Sequence, residues 1–301
     1  MAPSIAEVPS ADIVVPVKVD LEKTTSKPKV RRVIDEEGEN TTASYPIYLP
    51  VWDYGEKYPA LEPFAHFDHG KDADKSLRDL LTTGSQIQKL TPTIGSEVTG
   101  VQLSKLTPEG KDQLALLVAQ RKVVAFRDQD FADLPIQEAL EFGGYFGRHH
   151  IHPTSGSPEG FPEIHLVHRN NNAWELDEYL AGKNSSVSWH SDVTYEQQPP
   201  GTTFLYILDS PEVGGDTVFV NQVEAYNRLS SSVKERLHGL KAIHSGFEQA
   251  EFSLKRGSVV RRDPVQNVHP IVRTHPVTGE KALFVNAGCK FCLQHNTSEN
   301  V

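Results

Sequence analysis

The chain has 301 residues, 38% of them hydrophobic, with 40 acidic against 30 basic side chains and a net charge of −10. That length can bury one sizeable core or at most two small ones. An acidic chain with no Lys/Arg-rich block has nothing to neutralise phosphates or anionic headgroups, which argues against nucleic-acid and membrane partners.

Residues 1–44 are rich in Lys, Glu, Thr, Ser and Pro and poor in large apolar groups, the composition of a disordered, solvated tail. Met1–Asp20 lacks the basic start and apolar run of a secretory signal, and no stretch approaches the roughly 20 apolar residues of a membrane span. With only two cysteines, a reducing, cytoplasmic setting is expected. Residues 45–85 differ: Tyr45, Tyr48, Trp52, Tyr54, Tyr58 and Phe64 stand among prolines, which predicts an irregular arm packing its aromatics onto a domain.

The domain reads as starting at Gln86. Thr107-Pro108-Glu109 opens a helix with an N-cap and a first-turn proline, and Leu114, Leu117 and Val118 give it an apolar stripe. Val123–Phe126 reads as a short buried strand, and a second helix starts near Leu134-Pro135 and ends at Gly143 and Gly144. Strands follow at Glu163–His168, Val187–Thr194, Thr203–Leu208, Thr217–Asn221, Leu240–His244, His269–Arg273 and Ala282–Val285, with helix over 222–238. Many short strands between Gly, Pro, Asn and Asp turns predict a sandwich or jelly roll.

In Val187–Thr194 a period of two puts His190, Asp192 and Thr194 on one face. An imidazole and a carboxylate so placed can grip one ion, and one more histidine would complete a 2-His-1-carboxylate facial triad. The bare pattern is weak, since the chain holds 13 histidines and repeats His-x-Asp at His66-Phe67-Asp68, in a polar run that reads as a solvated loop. Cys289-x2-Cys292-x2-His295 could be half a zinc site, but no second pair completes it.

Context separates the two copies. Trp189–Thr194, Pro199-Pro200-Gly201, Gly214-Gly215-Asp216-Thr217, His269–Pro276 and Ala282–Asn286, preceded by Val123–Gln129 and Phe146–Pro153, together resemble the TauD/TfdA family of Fe(II)/2-oxoglutarate-dependent dioxygenases. The aromatic arm resembles the extension of fungal sulfonate dioxygenases. The resemblance implies a β-rich α+β fold, a double-stranded β-helix (jelly roll) with flanking helices. It implies Fe(II) held by His190 and Asp192, 2-oxoglutarate held at its carboxylate by Thr217, and O2 and a small anion, a sulfonate, as substrates. His152 matches the substrate-sulfonate position, although His149, His150 and His152 could equally line a polar strand end. Ser155 stands where taurine-specific members carry tyrosine, so the substrate is taurine or another alkyl sulfonate. Family members acting on alkyl sulfates or aryloxyacetates give the alternative substrates, and a homo-oligomer is left open.

The resemblance runs from about 86 to 288, and the residues after Gly288 read as an out-of-family end. The distal histidine ligand and the 2-oxoglutarate arginine of the family are absent from the sequence, so the last part of the fold is expected to be missing. An inactive truncated product is the competing reading.

Overall fold

The computed structural model describes residues 30–32, 44–168, 189–287 and 290–292. The cysteine motif's Cys289 and His295, the start of the expected strand at Val187 and most of the N-terminal tail lie outside them. Val30–Arg32 belongs to the segment read as solvated tail, yet it forms strand β1, antiparallel to β2 (Val51–Asp53).

The core forms where periodicity was strongest. Helix α1 (Pro108–Arg121) starts on Thr107, whose hydroxyl accepts from the Gly110 amide, and its Leu114, Leu116 and Leu117 are buried. Leu114 and Leu117 meet Leu80, Val98, Val101, Leu103, Phe131 and Phe142. Phe142 comes from α2 (Ile136–Gly144). Beside α1 lies a three-stranded sheet of β3 (Gln86–Lys89), β4 (Ser96–Thr99) and β5 (Val124–Phe126), with β3–β4 antiparallel and β4–β5 parallel. A single 3-10 turn at His69–Lys71 presses on α1, and a Cβ at Gly70 would come within 2.7 Å of the Leu116 backbone nitrogen.

The region read as helical over 222–238 forms α3 (Gln222–Asn227) and α4 (Ser231–Leu237), capped by the Asn221 and Ser230 side chains. Strand β6 (Lys241–Ser245) leads into α5 (Phe247–Lys255) and then β7 (Gln266–Pro270). The expected strand His269–Arg273 is split at buried Ile271, and β8 (Val272–Thr274) turns away to pair with β9 (Lys281–Leu283). Strand β10 (Lys290–Cys292) joins β6 and β7 in the order β10-β6-β7.

The described residues mix helices with two sheets of three strands and two of two. They do not close into a double-stranded β-helix. The expected strands Glu163–His168, Thr203–Leu208 and Thr217–Asn221 carry no regular secondary structure. Leu205, Ile207, Val218, Phe219 and Val220 are each more than half exposed. A strand is made by its ladder as much as by its residues, and no described neighbour pairs with these runs. Among the described residues, no helix is long and apolar enough to cross a membrane.

Candidate active site

His190 and Asp192 meet. His190 Nε2 stands 3.1 Å from Asp192 Oδ1, with both side chains more than half exposed. They do so from a turn rather than the expected strand: residues 192–195 form a turn in which the Glu196 amide donates to the Val193 carbonyl at 3.1 Å. Val193 takes φ +42°, a sterically poor region for a β-branched residue. Such strain costs of order 1–3 kcal/mol and persists only where the surroundings over-determine it. The turn also redirects Thr194. It is buried instead of sharing an open face with the two candidate ligands.

The surroundings that hold the turn come from residues 262–286. Asn286, three residues past β9, accepts the Ser191 amide at Oδ1 (2.9 Å) and donates from Nδ2 to the Ser191 carbonyl (2.9 Å) and to Thr194 Oγ1 (3.1 Å). Asn267 Nδ2 donates to the Tyr195 carbonyl at 2.7 Å, and His269 Nε2 to the Glu196 carbonyl at 2.8 Å. β7 supplies both of these side chains.

Below the turn lies a buried ion cluster. Glu196 Oε1 receives Arg262 Nη2 and lies 2.9 Å from His150 Nε2, and Arg262 Nη1 reaches Oε2 at 3.4 Å. Burial alone would raise the Glu196 pKa, but the hydrogen bonds from His150 and Arg262 outweigh it and hold the carboxylate below its ordinary range. His150 thus serves this cluster and not a strand end.

His152 stacks on His165, ring centroids 4.2 Å apart, and burial lowers the His165 pKa against the opposing pull of the Asp192 carboxylate. The Thr154 amide donates to His152 Nδ1 at 3.3 Å, and Gln249 Nε2 lies 3.4 Å from its Nε2. Gln249 in turn accepts from Tyr195 on the turn at 2.7 Å. Burial, reinforced by repulsion from His165, His150, Arg261 and Arg262, pushes the His152 pKa down to about 3. At neutral pH it is an uncharged imidazole. The charge beside it belongs to Arg261, buried behind it, which donates to the His152 carbonyl at 2.9 Å and to Ser157 Oγ at 3.1 Å.

The segment 45–85 closes the far side of Arg261. Val51 and Ser157 exchange backbone hydrogen bonds, Tyr58 donates its amide to the Arg261 carbonyl at 2.7 Å, and Glu56 Oε2 lies 3.7 Å from the guanidinium.

Thr217 is exposed and lies in a run with no regular secondary structure. The second His-x-Asp is also present as a pair, His66 Nε2 to Asp68 Oδ1 at 3.4 Å, but His69 beside it binds Asp112 on α1 at 2.8 Å, so this copy serves a packed loop. Glu196, Arg261, Arg262, Asn267 and Gln249 were not singled out from the sequence. Each acts through a partner far along the chain, and no local pattern marks such pairings.

The imidazole and carboxylate of His190 and Asp192 fit two corners of a 2-His-1-carboxylate iron site in donor type and in convergence. Among the described residues, no third His, Cys, Asp or Glu joins them.

Comparison with known proteins places the whole sequence. The model of the taurine catabolism dioxygenase TauD, TfdA family matches residues 86–299, continuing past Gly288 through residues read as foreign to it. The chain is 44% identical over 248 residues to the alpha-ketoglutarate-dependent sulfonate dioxygenase of Saccharomyces cerevisiae, covering 81% of this chain and 60% of that one. It is 42% identical over 255 residues to the alpha-ketoglutarate-dependent dioxygenase cnsP of Penicillium expansum, covering 83% and 69%. A solved taurine dioxygenase from Burkholderia xenovorans is 28% identical with a TM-score of 0.47, covering 68% of this chain and 64% of its own. The chain thus spans 60% of the yeast relative's length. With the family pattern running through most of its residues, the chain belongs to the TauD, TfdA family of dioxygenases.

Proposed function

We propose that this chain carries the iron-binding half-site of an Fe(II)- and 2-oxoglutarate-dependent dioxygenase that hydroxylates the carbon next to a sulfonate. The meeting of His190 Nε2 and Asp192 Oδ1 on a strained, multiply anchored turn carries the reading. In it, His190 and Asp192 are two iron ligands, and the fold around them completes as a double-stranded β-helix. Thr217 holds the 2-oxoglutarate carboxylate through its hydroxyl. The chemistry that iron and 2-oxoglutarate supply when bound is oxidative, with one atom of O2 entering succinate and the other the substrate.

The chain's own residues bind and orient. His152 offers an incoming sulfonate a neutral N–H, while the positive field of buried Arg261 favours the anion. Anion binding beside an imidazole stabilises its protonated form, so substrate should raise the His152 pKa. Hydroxylation at the carbon bearing the sulfonate gives an adduct that loses its hydroxyl proton and expels sulfite, leaving an aldehyde. Ser155 offers a small hydroxyl three residues beyond His152, which leaves room for sulfonates larger than taurine.

The test is sulfite and succinate formation by purified chain with Fe(II), 2-oxoglutarate and a panel of alkyl sulfonates and sulfate esters. His190→Ala and Asp192→Ala serve as controls. Sulfite release that both substitutions abolish supports the reading. Succinate formed with sulfate esters but with no sulfonate would move the substrate class, and no product with any acid would refute the assignment for this chain.

A further inference from the structure

We infer that Asn286 is the positioning residue of the ligand turn, setting the backbone between His190 and Asp192 so that both side chains meet one ion. The inference rests on reading these two residues as metal ligands.

Ser191 is the single residue between the candidate ligands, so the orientation of its peptide groups fixes the relative direction of the two side chains. Asn286 clasps it at both ends: the amide donates to Oδ1 and the carbonyl accepts from Nδ2, each at 2.9 Å. A carboxamide used this way supplies the two hydrogen bonds that a neighbouring strand would make to one residue. The clasp therefore imposes a strand-like constraint on a segment that has no strand partner among the described residues. Its third bond, to Thr194 Oγ1 at 3.1 Å, ties both flanks of strained Val193 to the same side chain.

Asn286 is itself well placed to act as a reference point. The Phe284 amide donates to the Ile271 carbonyl at 2.7 Å, and the Ile271 amide to the Leu240 carbonyl at 3.0 Å, so the segment carrying it is pinned next to β6. The Phe284 ring stacks on buried His244, centroids 5.0 Å apart. Asn267 holds the Tyr195 carbonyl and His269 the Glu196 carbonyl, with Thr194 also acting on the His269 ring, all later than Ser191. Asn286 alone among these groups touches the residue between the ligands.

The experiment is Mn(II) titration of the full chain followed by electron paramagnetic resonance, with amide hydrogen exchange at Ser191 and the thermal midpoint measured on the same samples. Outer partners of metal ligands typically contribute about 10–100-fold in metal affinity. Asn286→Ala is expected to weaken Mn(II) at least about tenfold and to speed exchange at Ser191. Asn286→Asp keeps the volume and the Oδ1 acceptor but turns a carboxylate oxygen onto the Ser191 carbonyl. It is expected to weaken Mn(II) by an intermediate factor, and it decides the question if the alanine variant does not fold. Unchanged Mn(II) affinity in the folded variants, with His190→Ala abolishing binding, would overturn the inference and leave the ligand assignment standing. No Mn(II) binding by the unsubstituted chain would overturn both.

Discussion

Replacing Arg262 by Met removes the guanidinium from a site where the Arg262 and Glu196 side chains are 2% and 4% exposed. Glu196 then keeps only His150, at 2.9 Å, as a partner for a buried carboxylate. Breaking one side of a buried ion pair costs about 3–5 kcal/mol, chiefly because the remaining charge stays desolvated. At roughly 2–4 °C per kcal/mol for a domain of this size, the thermal midpoint should fall by about 6–20 °C. Removing both charges, in Arg262→Met/Glu196→Met, should restore much of the loss, since a buried pair exchanged for apolar groups of similar volume is often near neutral. The pH dependence adds a second check. With Arg262 present the Glu196 pKa is lowered, so its contribution is complete above the ordinary carboxylate pKa and is lost as the pH falls below it. Without Arg262 the burial effect should dominate and raise that pKa, so protonation relieves the variant and its deficit should narrow on acidification. Thermal unfolding gives the midpoint shift, and urea unfolding at several pH values gives the free-energy differences and their pH dependence. A single variant within about 1 kcal/mol of the parent, or a double variant no better than the single, would refute the claim that this pair is a desolvated ion pair.

Two further outcomes follow from the packing. A Cβ on Gly156 would lie 2.8 Å from Trp52 Cε2 and 3.1 Å from Pro50 Cβ, so Gly156→Ala should lose about 1–3 kcal/mol and shift the Trp52 fluorescence, whereas unchanged stability and emission would contradict that contact. His152 is held neutral with its pKa lowered from 6.5 to about 3, so the stability tied to it is complete above pH 6.5 and drains away as the pH falls toward 3. His152→Gln should reduce the pH slope of the unfolding free energy over that window by up to about 1.4 kcal/mol per pH unit, leaving the slope due to His244 and His269, whose pKa values are also lowered by burial. An identical slope in the variant would show that His152 already titrates freely.

What was legible in the sequence was local. Thr107-Pro108 marks the start of α1, and the glycines 143 and 144 mark the end of α2, because capping and backbone freedom are decided within a turn or two of chain. His190 and Asp192 were found as a pair for the same reason, although their meeting needs a turn at Val193 that no β-branched residue advertises. The strands expected at 203–208 and 217–221 show the opposite case: their apolar, β-prone residues are read correctly, but a ladder needs a partner that the run itself cannot supply. Arg261 and Arg262 are the least legible. Two adjacent arginines read as surface, and partners distant in sequence, among them Glu196, Glu56, Ser157 and the His152 carbonyl, make their burial tolerable.

Ser191 and Asn286 are 95 residues apart, and Arg262, Asn267 and His269 also follow the turn they hold. During synthesis at about 5–20 residues per second, the candidate ligands would emerge some 5–20 s before the side chain that fixes their geometry. Metal capture should therefore come late in the life of the nascent chain, because the early His-x-Asp is only a flexible pair of donors. The order of emergence separates recognition of the ion from exposure of its ligands.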